Sequence, residues 1–233
     1  MPCTLPAVLA DAAVCRGSFH AVLRTDVPDT VFSAFSAALQ KAQADGSLLT
    51  ASLFRCESHL FFYAEGLNRP FTPQGLCPAL DAALLPWPPA LGETSPRPWA
   101  AMQPYFYHDI PTTAADWQQG RCPQRRRGRI ALLPPDKWCS YMEHHLRIVT
   151  EGLVEGDRWH LICVQEGVLF SYLEEPRTNV NIRHQPGAHS PELDAWIAAD
   201  PESHFARFTP EQKAHPDGRH NFVFLPRIAG TED

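Results

Sequence analysis

Leu60-Phe61-Phe62-Tyr63-Ala64-Glu65 and Leu169-Phe170-Ser171-Tyr172-Leu173-Glu174 are near copies, a constant 109 residues apart from position 60 against 169 to position 65 against 174. At the same offset Trp87 meets Trp196, and Val22-Leu23 meets Ala131-Leu132. Chance supplies any one of these matches. Together they indicate a duplicated unit.

Outward from each copy the same order of elements is legible. In the second half, Arg129 to Leu133 reads as a short apolar strand stopped by Pro134-Pro135, and Asp136 as the N-cap of a helix from Lys137 to Glu151 that ends at Gly152. Trp159 to Gln165 and Val168 to Leu173 read as a hairpin turned at Glu166-Gly167. Ser190-Pro191 opens a second helical region that Pro201 divides, and Asn221 to Leu225 is the last strand. In the first half, Phe19 to Arg24 is a strand, Asp29 caps a helix ending near Gly46, and Leu48 to Phe54 pairs with Leu60 to Tyr63. A proline-broken helical stretch covers Thr72 to Trp99, and Tyr105 to His108 is expected to close the first unit. That match slips, since position 105 then meets 222 rather than 214, so the second unit must carry an insertion, placed at Ala214 to Asn221.

A βαββαβ unit makes a four-stranded antiparallel sheet with both helices on one face. Its other face is apolar and must be covered, which a tandem repeat can do within one chain. The expected fold class is therefore α+β: tandem ferredoxin-like repeats at 18–110 and 128–228, joined by a polar linker at 111–127, forming an intrachain pseudo-dimeric α+β barrel. Two independent domains would leave two apolar faces bare.

The chain has 233 residues and a net charge of −6, which disfavours a nucleic-acid or acidic-membrane surface; the run Arg125-Arg126-Arg127 with Arg129 reads as a solvated linker. Seven dispersed cysteines with no C-x-x-C fit neither a disulfide framework nor a zinc knuckle. Met1 to Gly17 lacks a basic leader, and no apolar run approaches the ~20 residues of a membrane span. A soluble, cytoplasmic protein is expected, either a monomeric pseudo-dimer or a homodimer.

The second-half helix carries the chemistry. At 100° per residue Trp138, Tyr141, Met142, Ile148 and Val149 form one stripe with His145 at its centre, and His144 and Glu151 on a flank. Alternation puts Arg158, His160 and Ile162 on one face of the next strand, and Tyr172 with Glu174 on one face of the strand after. If the first set faces the helix, His160 approaches His145. At the 109 offset the first half has Phe32 for Tyr141, Ser36 for His145, Ala51 for His160 and Ala42 for Glu151, yet keeps Tyr63 and Glu65. The second half is thus expected to hold the pocket and the first a degenerate copy. Metal binding is disfavoured: His184-x4-His189 and His215-x4-His220 lie in loops, and there is no H-E-x-x-H.

The segment from Arg129 to Leu225 resembles the L-rhamnose mutarotase family of dimeric α+β barrels. The carrying residues are Tyr141-x-x-x-His145 with Glu151, the run Gly156-Asp157-Arg158-Trp159-His160-Leu161-Ile162, and Leu169-Phe170-Ser171-Tyr172-x-Glu174. The resemblance implies a cofactor-free, carbohydrate-directed isomerase that exchanges sugar anomers by acid/base catalysis. His145 and His160 would be catalytic, with Tyr141, Glu151, Tyr172 and Glu174 binding a small-molecule ligand, a monosaccharide. Leu146 departs from the family, which usually has asparagine after the helix histidine, and His160 stands where the family has a pocket tyrosine. The rival reading is a non-catalytic small-molecule-binding or interaction protein on the same scaffold.

Overall fold

The chain passes four times between its two compact units, so neither is continuous in sequence. Unit 1 comprises Met1–Met102, Pro111–Arg126 and Pro226–Asp233, and unit 2 comprises Gln103–Ile110 and Arg127–Leu225. The computed structural model describes residues 7–152, 154–177, 183–184, 187, 189–215 and 220–231. Element numbers below follow chain order.

Unit 1 runs β1 (Val14–Val22), α1 (Asp29–Ala44), β2 (Leu48–Cys56), β3 (His59–Leu67), α2 (Pro78–Ala83) and β4 (Ala100–Ala101). With β12 (Arg227–Gly230) from the far end of the chain, the sheet order is β12-β2-β3-β1-β4, every pair antiparallel. On α1, Phe32, Phe35, Leu39 and Ala42 recur at helical spacing and are buried. They pack on Ala51, Leu53, Leu60 and Phe62, one alternating face of the sheet, with Phe35 meeting Phe62 edge-on at 5.7 Å. The sequence places Asp29 as a cap, but α1 begins at Asp29 itself, with Pro28 at the cap position. There the carboxylate faces the positive end of the helix dipole.

The opposite face of this sheet carries the buried Phe54 and Phe61 together with a polar and ionic cluster. Arg121 clamps Glu65 through two bonds of 2.7 and 2.9 Å, and the Tyr63 hydroxyl donates to the same carboxylate at 2.6 Å. Arg16 donates to the Tyr63 oxygen at 3.0 Å and lies 5.1 Å from the Trp117 ring centroid. Trp117 sits on α3 (Ala114–Gln118), whose Thr113 cap accepts from the Asp116 amide. The segment read as a polar linker therefore supplies a fully buried tryptophan and a buried arginine to unit 1.

Unit 2 runs β6 (Arg125–Leu132), α4 (Pro135–Glu151), the short β7 (Val154–Glu155), β8 (Leu161–Gln165), β9 (Val168–Glu175), β10 (Arg183–His184), α5 (Pro191–Ala198), α6 (Pro210–Ala214) and β11 (Val223–Leu225). With β5 (Gln103–Tyr107), the sheet order is β11-β6-β9-β8-β5, while β10 and β7 form a separate ribbon. The Glu166-Gly167 turn has both φ positive, at 50° and 80°, as a tight hairpin requires. Ser190 accepts from the Leu193 amide and caps α5 as expected, and Gly152 ends α4 in the left-handed region at φ 67°. Asp136 is not the cap of α4, which begins one residue earlier with proline at its first position.

The α+β class and the two repeats, each with its own antiparallel sheet, are present. Their closing strands require a correction. Tyr105 to His108 does not close the first repeat. That role belongs to β4, where Ala100 pairs with His20, matching Phe224 against Arg129 in β11. The segment after each closing strand enters the other unit. Phe106 pairs with Ile162 and Ala229 with Leu53, positions that themselves stand 109 apart, so β5 and β12 are equivalent. A register shift falls at the same point in both, between Pro104 and Phe106 and between Arg227 and Ala229. A bulge retained in both copies is a built feature of the repeat.

This exchange makes a prediction. A fragment spanning 128–228 lacks β5, and with it Tyr105 and Phe106, both buried in the unit 2 core. Losing one large aromatic from a core costs about 3–5 kcal/mol, against a total stability of about 5–15 kcal/mol. The fragment is expected to show no cooperative thermal transition by circular dichroism, whereas the full chain shows one.

Candidate functional site

Tyr141 and His145, one turn apart on α4, both point into the unit 2 core, 2% and 4% exposed. The His145 Nδ1–H donates to the Tyr141 carbonyl at 2.9 Å, which leaves Nε2 as the acceptor nitrogen. Around the imidazole stand four rings: Tyr141 at 4.2 Å between centroids, Trp196 at 4.7 Å, Phe106 at 4.8 Å and Tyr105 at 5.5 Å. Two neighbouring residues of β5 reach the same imidazole beside the register shift, where strict strand alternation is broken. Burial drives the His145 pKa down to about 4, and the hydrogen bond to the Tyr141 carbonyl offsets only part of the lost hydration. Burial likewise pushes the Tyr141 and Tyr105 hydroxyls above the usual phenol range.

His160 faces the helix, as do Ile162 and Ser171 beside it. Its Nε2 lies 2.8 Å from the Ser171 hydroxyl, which also accepts from Arg129 at 3.3 Å. Phe106 touches both histidines, at 4.8 Å from His145 and 6.0 Å from His160, and wedges between them. Tyr172 and Glu174 lie on the opposite face of the sheet: Tyr172 pairs with Leu161, whereas the helix-facing Ser171 pairs with Ile162. The Tyr172 hydroxyl donates to Glu174 at 2.6 Å, repeating the Tyr63–Glu65 bond of unit 1. Glu151 accepts from the Ser190 hydroxyl and so links the end of α4 to the start of α5. Trp138, placed on the buried stripe by periodicity, is 41% exposed. Of the six residues singled out in the sequence, only Tyr141, His145 and His160 share the helix-facing core with one ring network.

An open space among the described residues of unit 2 lies beyond that network. A cavity of about 490 Å³ is bounded by Phe106 to Ile110, by Leu146 and Ile148 to Thr150 on α4, and by Gly152. His145 is not on its wall; His108 is. His108 stacks over His160 at 6.3 Å and meets Phe106 edge-on at 4.9 Å. Its ring lies so close to Gly156 that any β-carbon there would collide with it. Burial first, then the Arg177 guanidinium, lower its pKa to about 4. Two ion pairs frame this end of the unit, Arg158–Asp109 at 2.9 Å and Arg177–Asp157 at 3.4 Å. The periodic pattern gives no sign of His108, because its strand was expected to close the other repeat. A histidine beside an acidic residue at a strand end is the one local signal it carries.

Among the described residues, no group of three or more His, Cys, Asp or Glu side chains is placed to hold a metal ion. The side chain of His184 lies outside the described residues. No helix among the described residues is long and apolar enough to cross a membrane.

No family model matches the chain, and no curated protein matches it. Among solved structures, it is similar to one described as a "Putative monooxygenase" from Fusobacterium nucleatum subsp. nucleatum, with 10% identity, a TM-score of 0.42 and 94% of each chain covered. A second, described as an anthrone oxidase-like protein, has 9% identity and a TM-score of 0.37, with 93% of this chain and 95% of that chain covered. These findings correct the resemblance drawn from the sequence: the matches carry oxygenase and oxidase descriptions, not mutarotase, and the isomerase and carbohydrate reading is withdrawn with it. The geometry agrees. The imidazole of His145 is surrounded by four aromatic rings and does not line the cavity bounded by Phe106 to Ile110.

Proposed function

We propose that unit 2 is an oxidase-like acid–base centre. Its cavity takes a flat, largely apolar molecule with one weakly acidic C–H or phenolic O–H, and His108 accepts that proton. The observation that carries this reading is a histidine kept neutral by burial on the wall of a cavity of about 490 Å³. That volume lies within the range of small-ligand pockets, roughly 300–1,000 Å³. Phe106, Ile110, Leu146, Ile148 and Val149 give the cavity an apolar side, and Tyr107, Asp109 and Thr150 add polar groups to the rest of its wall.

In the step proposed, the substrate's acidic bond breaks, its proton goes to His108, and the electron pair stays on the substrate as a delocalised anion. The new anion lies beside the new imidazolium, which strengthens the base at the moment it is needed. Arg158 and Arg177 stand at the same end of the unit, each paired with an aspartate, Asp109 and Asp157. An electron-rich anion of this kind is the form that reacts with dioxygen, so oxygen uptake belongs in the test.

A panel of hydroxynaphthalenes and enolisable aryl ketones tests the reading, with absorbance of the ionised ligand and oxygen consumption both followed. His108→Phe should retain binding and lower ionisation or turnover about 10²–10⁴-fold, the usual contribution of a general base. Equal rates in wild type and His108→Phe contradict it.

A further inference from the structure

The two copies of α1 and its surroundings differ in a consistent direction. Unit 1 has an open cavity of about 420 Å³ lined by Asp29, Phe32, Ser33, Ser36, Ala37, Gln40, Arg55 and Ile228. At the 109 offset, unit 2 has Trp138 for Asp29, Met142 for Ser33 and His145 for Ser36. It likewise has Leu146 for Ala37, Val149 for Gln40 and Val164 for Arg55. On the equivalent crossing strands, Ile228 and Ala229 of unit 1 stand where unit 2 has Tyr105 and Phe106. In unit 2 those two aromatics, with Tyr141 and His145, fill the part of this space that lies beside Ser36 in unit 1, while Leu146 and Val149 line the neighbouring His108 cavity. In unit 1 every replacement is smaller, more polar or charged. Drift on a surface gives no common direction. Here the changes together keep a space open and line it with hydrogen-bonding groups.

We infer that this cavity in unit 1 is a binding site for a small zwitterion of the amino-acid class. Asp29 supplies an anion for an ammonium group and Arg55 a cation for a carboxylate, while Phe32, Ala37 and Ile228 give an apolar floor for a side chain. Ser33, Ser36 and Gln40 add hydroxyl and amide groups. Arg55 is already oriented: its Nε donates to the Glu57 carbonyl at 2.6 Å and its Nη2 to Asp26 at 2.5 Å. The Asp26 side chain is 87% exposed, so a ligand carboxylate can displace it into water at small cost. Ser36 ties the floor to the crossing strand by accepting from the Gly230 amide at 3.3 Å. The site is separate from the His108 cavity, with which it shares no residue.

The test uses the full chain, isotope-labelled, titrated with each of the twenty common L-amino acids, and with the matching amines and carboxylic acids that lack one charge. The expected result is saturable shifts of the Ser33, Ser36, Ala37 and Gln40 amides by at least one amino acid, with Kd at or below about 1 mM. Either one-charge analogue should bind at least about tenfold more weakly. Arg55→Met should weaken binding by a similar factor, and Ala37→Leu, which restores the bulk found in unit 2 at an exposed position, should do the same. His108→Phe should leave it unchanged. No saturable shift with any amino acid overturns the inference, and so does binding indifferent to both Arg55→Met and Ala37→Leu.

Discussion

Arg121→Met is expected to destabilise the protein by about 3–5 kcal/mol at neutral pH, because it strands a buried carboxylate. Glu65 is fully buried, and Arg121 meets both of its oxygens. Burial alone would raise the Glu65 pKa, but the Arg121 charge and its hydrogen bonds, with Arg16 and the Tyr63 hydroxyl, outweigh it and hold the pKa below the usual carboxylate value. In the wild type this pair therefore contributes stability above the unfolded-state pKa and loses it as pH falls through the lower folded-state value. Without Arg121 the balance shifts toward burial, and the carboxyl prefers to be protonated. The gap between variant and wild type should then narrow as pH falls toward 4 in urea titrations. A double variant, Arg121→Met with Glu65→Leu, should recover most of the loss, since replacing both partners removes the stranded charge. A constant gap across pH would mean that the arginine acts by packing alone.

Phe106→Ala carries the second large effect. The ring is 2% exposed and touches His145, His108 and His160. Truncation should cost about 3–5 kcal/mol. It should also join the space beside His145 to the His108 cavity, which Phe106 already lines. Water entering that space relieves the burial that keeps His145 neutral, so its pKa should climb from about 4 toward 6.5. Calorimetry measures the first effect and histidine NMR the second. A stability loss without movement of the His145 titration would place the cavity elsewhere.

The repeat was legible because hairpins are local. Leu60 to Glu65 and Leu169 to Glu174 carry the alternation, the turn residues and the tyrosine–glutamate bond within one short stretch. Ser190 was legible for the same reason, since a cap is read from neighbours in sequence. Strand exchange was not. β5 and β12 have the composition of any edge strand, and which sheet each joins depends on pairings far along the chain, such as Phe106 with Ile162 and Ala229 with Leu53. The matching bulges, visible only in the register, identify these strands as equivalent.

The candidate site was legible in part for a related reason. Period-3.6 reasoning placed Tyr141 and His145 on one buried face, and the structure agrees. Period-2 reasoning separated His160 from Tyr172 in parity, but the face turned to the helix was settled only by Ser171 pairing with Ile162. His108 stayed hidden because it arrives with the exchanged strand. The first repeat looked blank because Phe32, Ser36, Ala42 and Ala51 carry no obvious chemistry, yet small residues such as Ser36 and Ala37 are what leave a cavity.

The titration of His108 is the measurement on which the functional reading rests most directly. Followed by two-dimensional NMR of histidine-labelled protein and assigned with His108→Phe, its midpoint should lie at about 4, leaving the ring neutral through the physiological range. Because this folded-state pKa is lowered, stability should decline as pH drops from 6.5 toward 4 and then level off for this group. A midpoint near 6.5, the value of a solvated imidazole, would contradict a half-buried proton acceptor held neutral on the cavity wall.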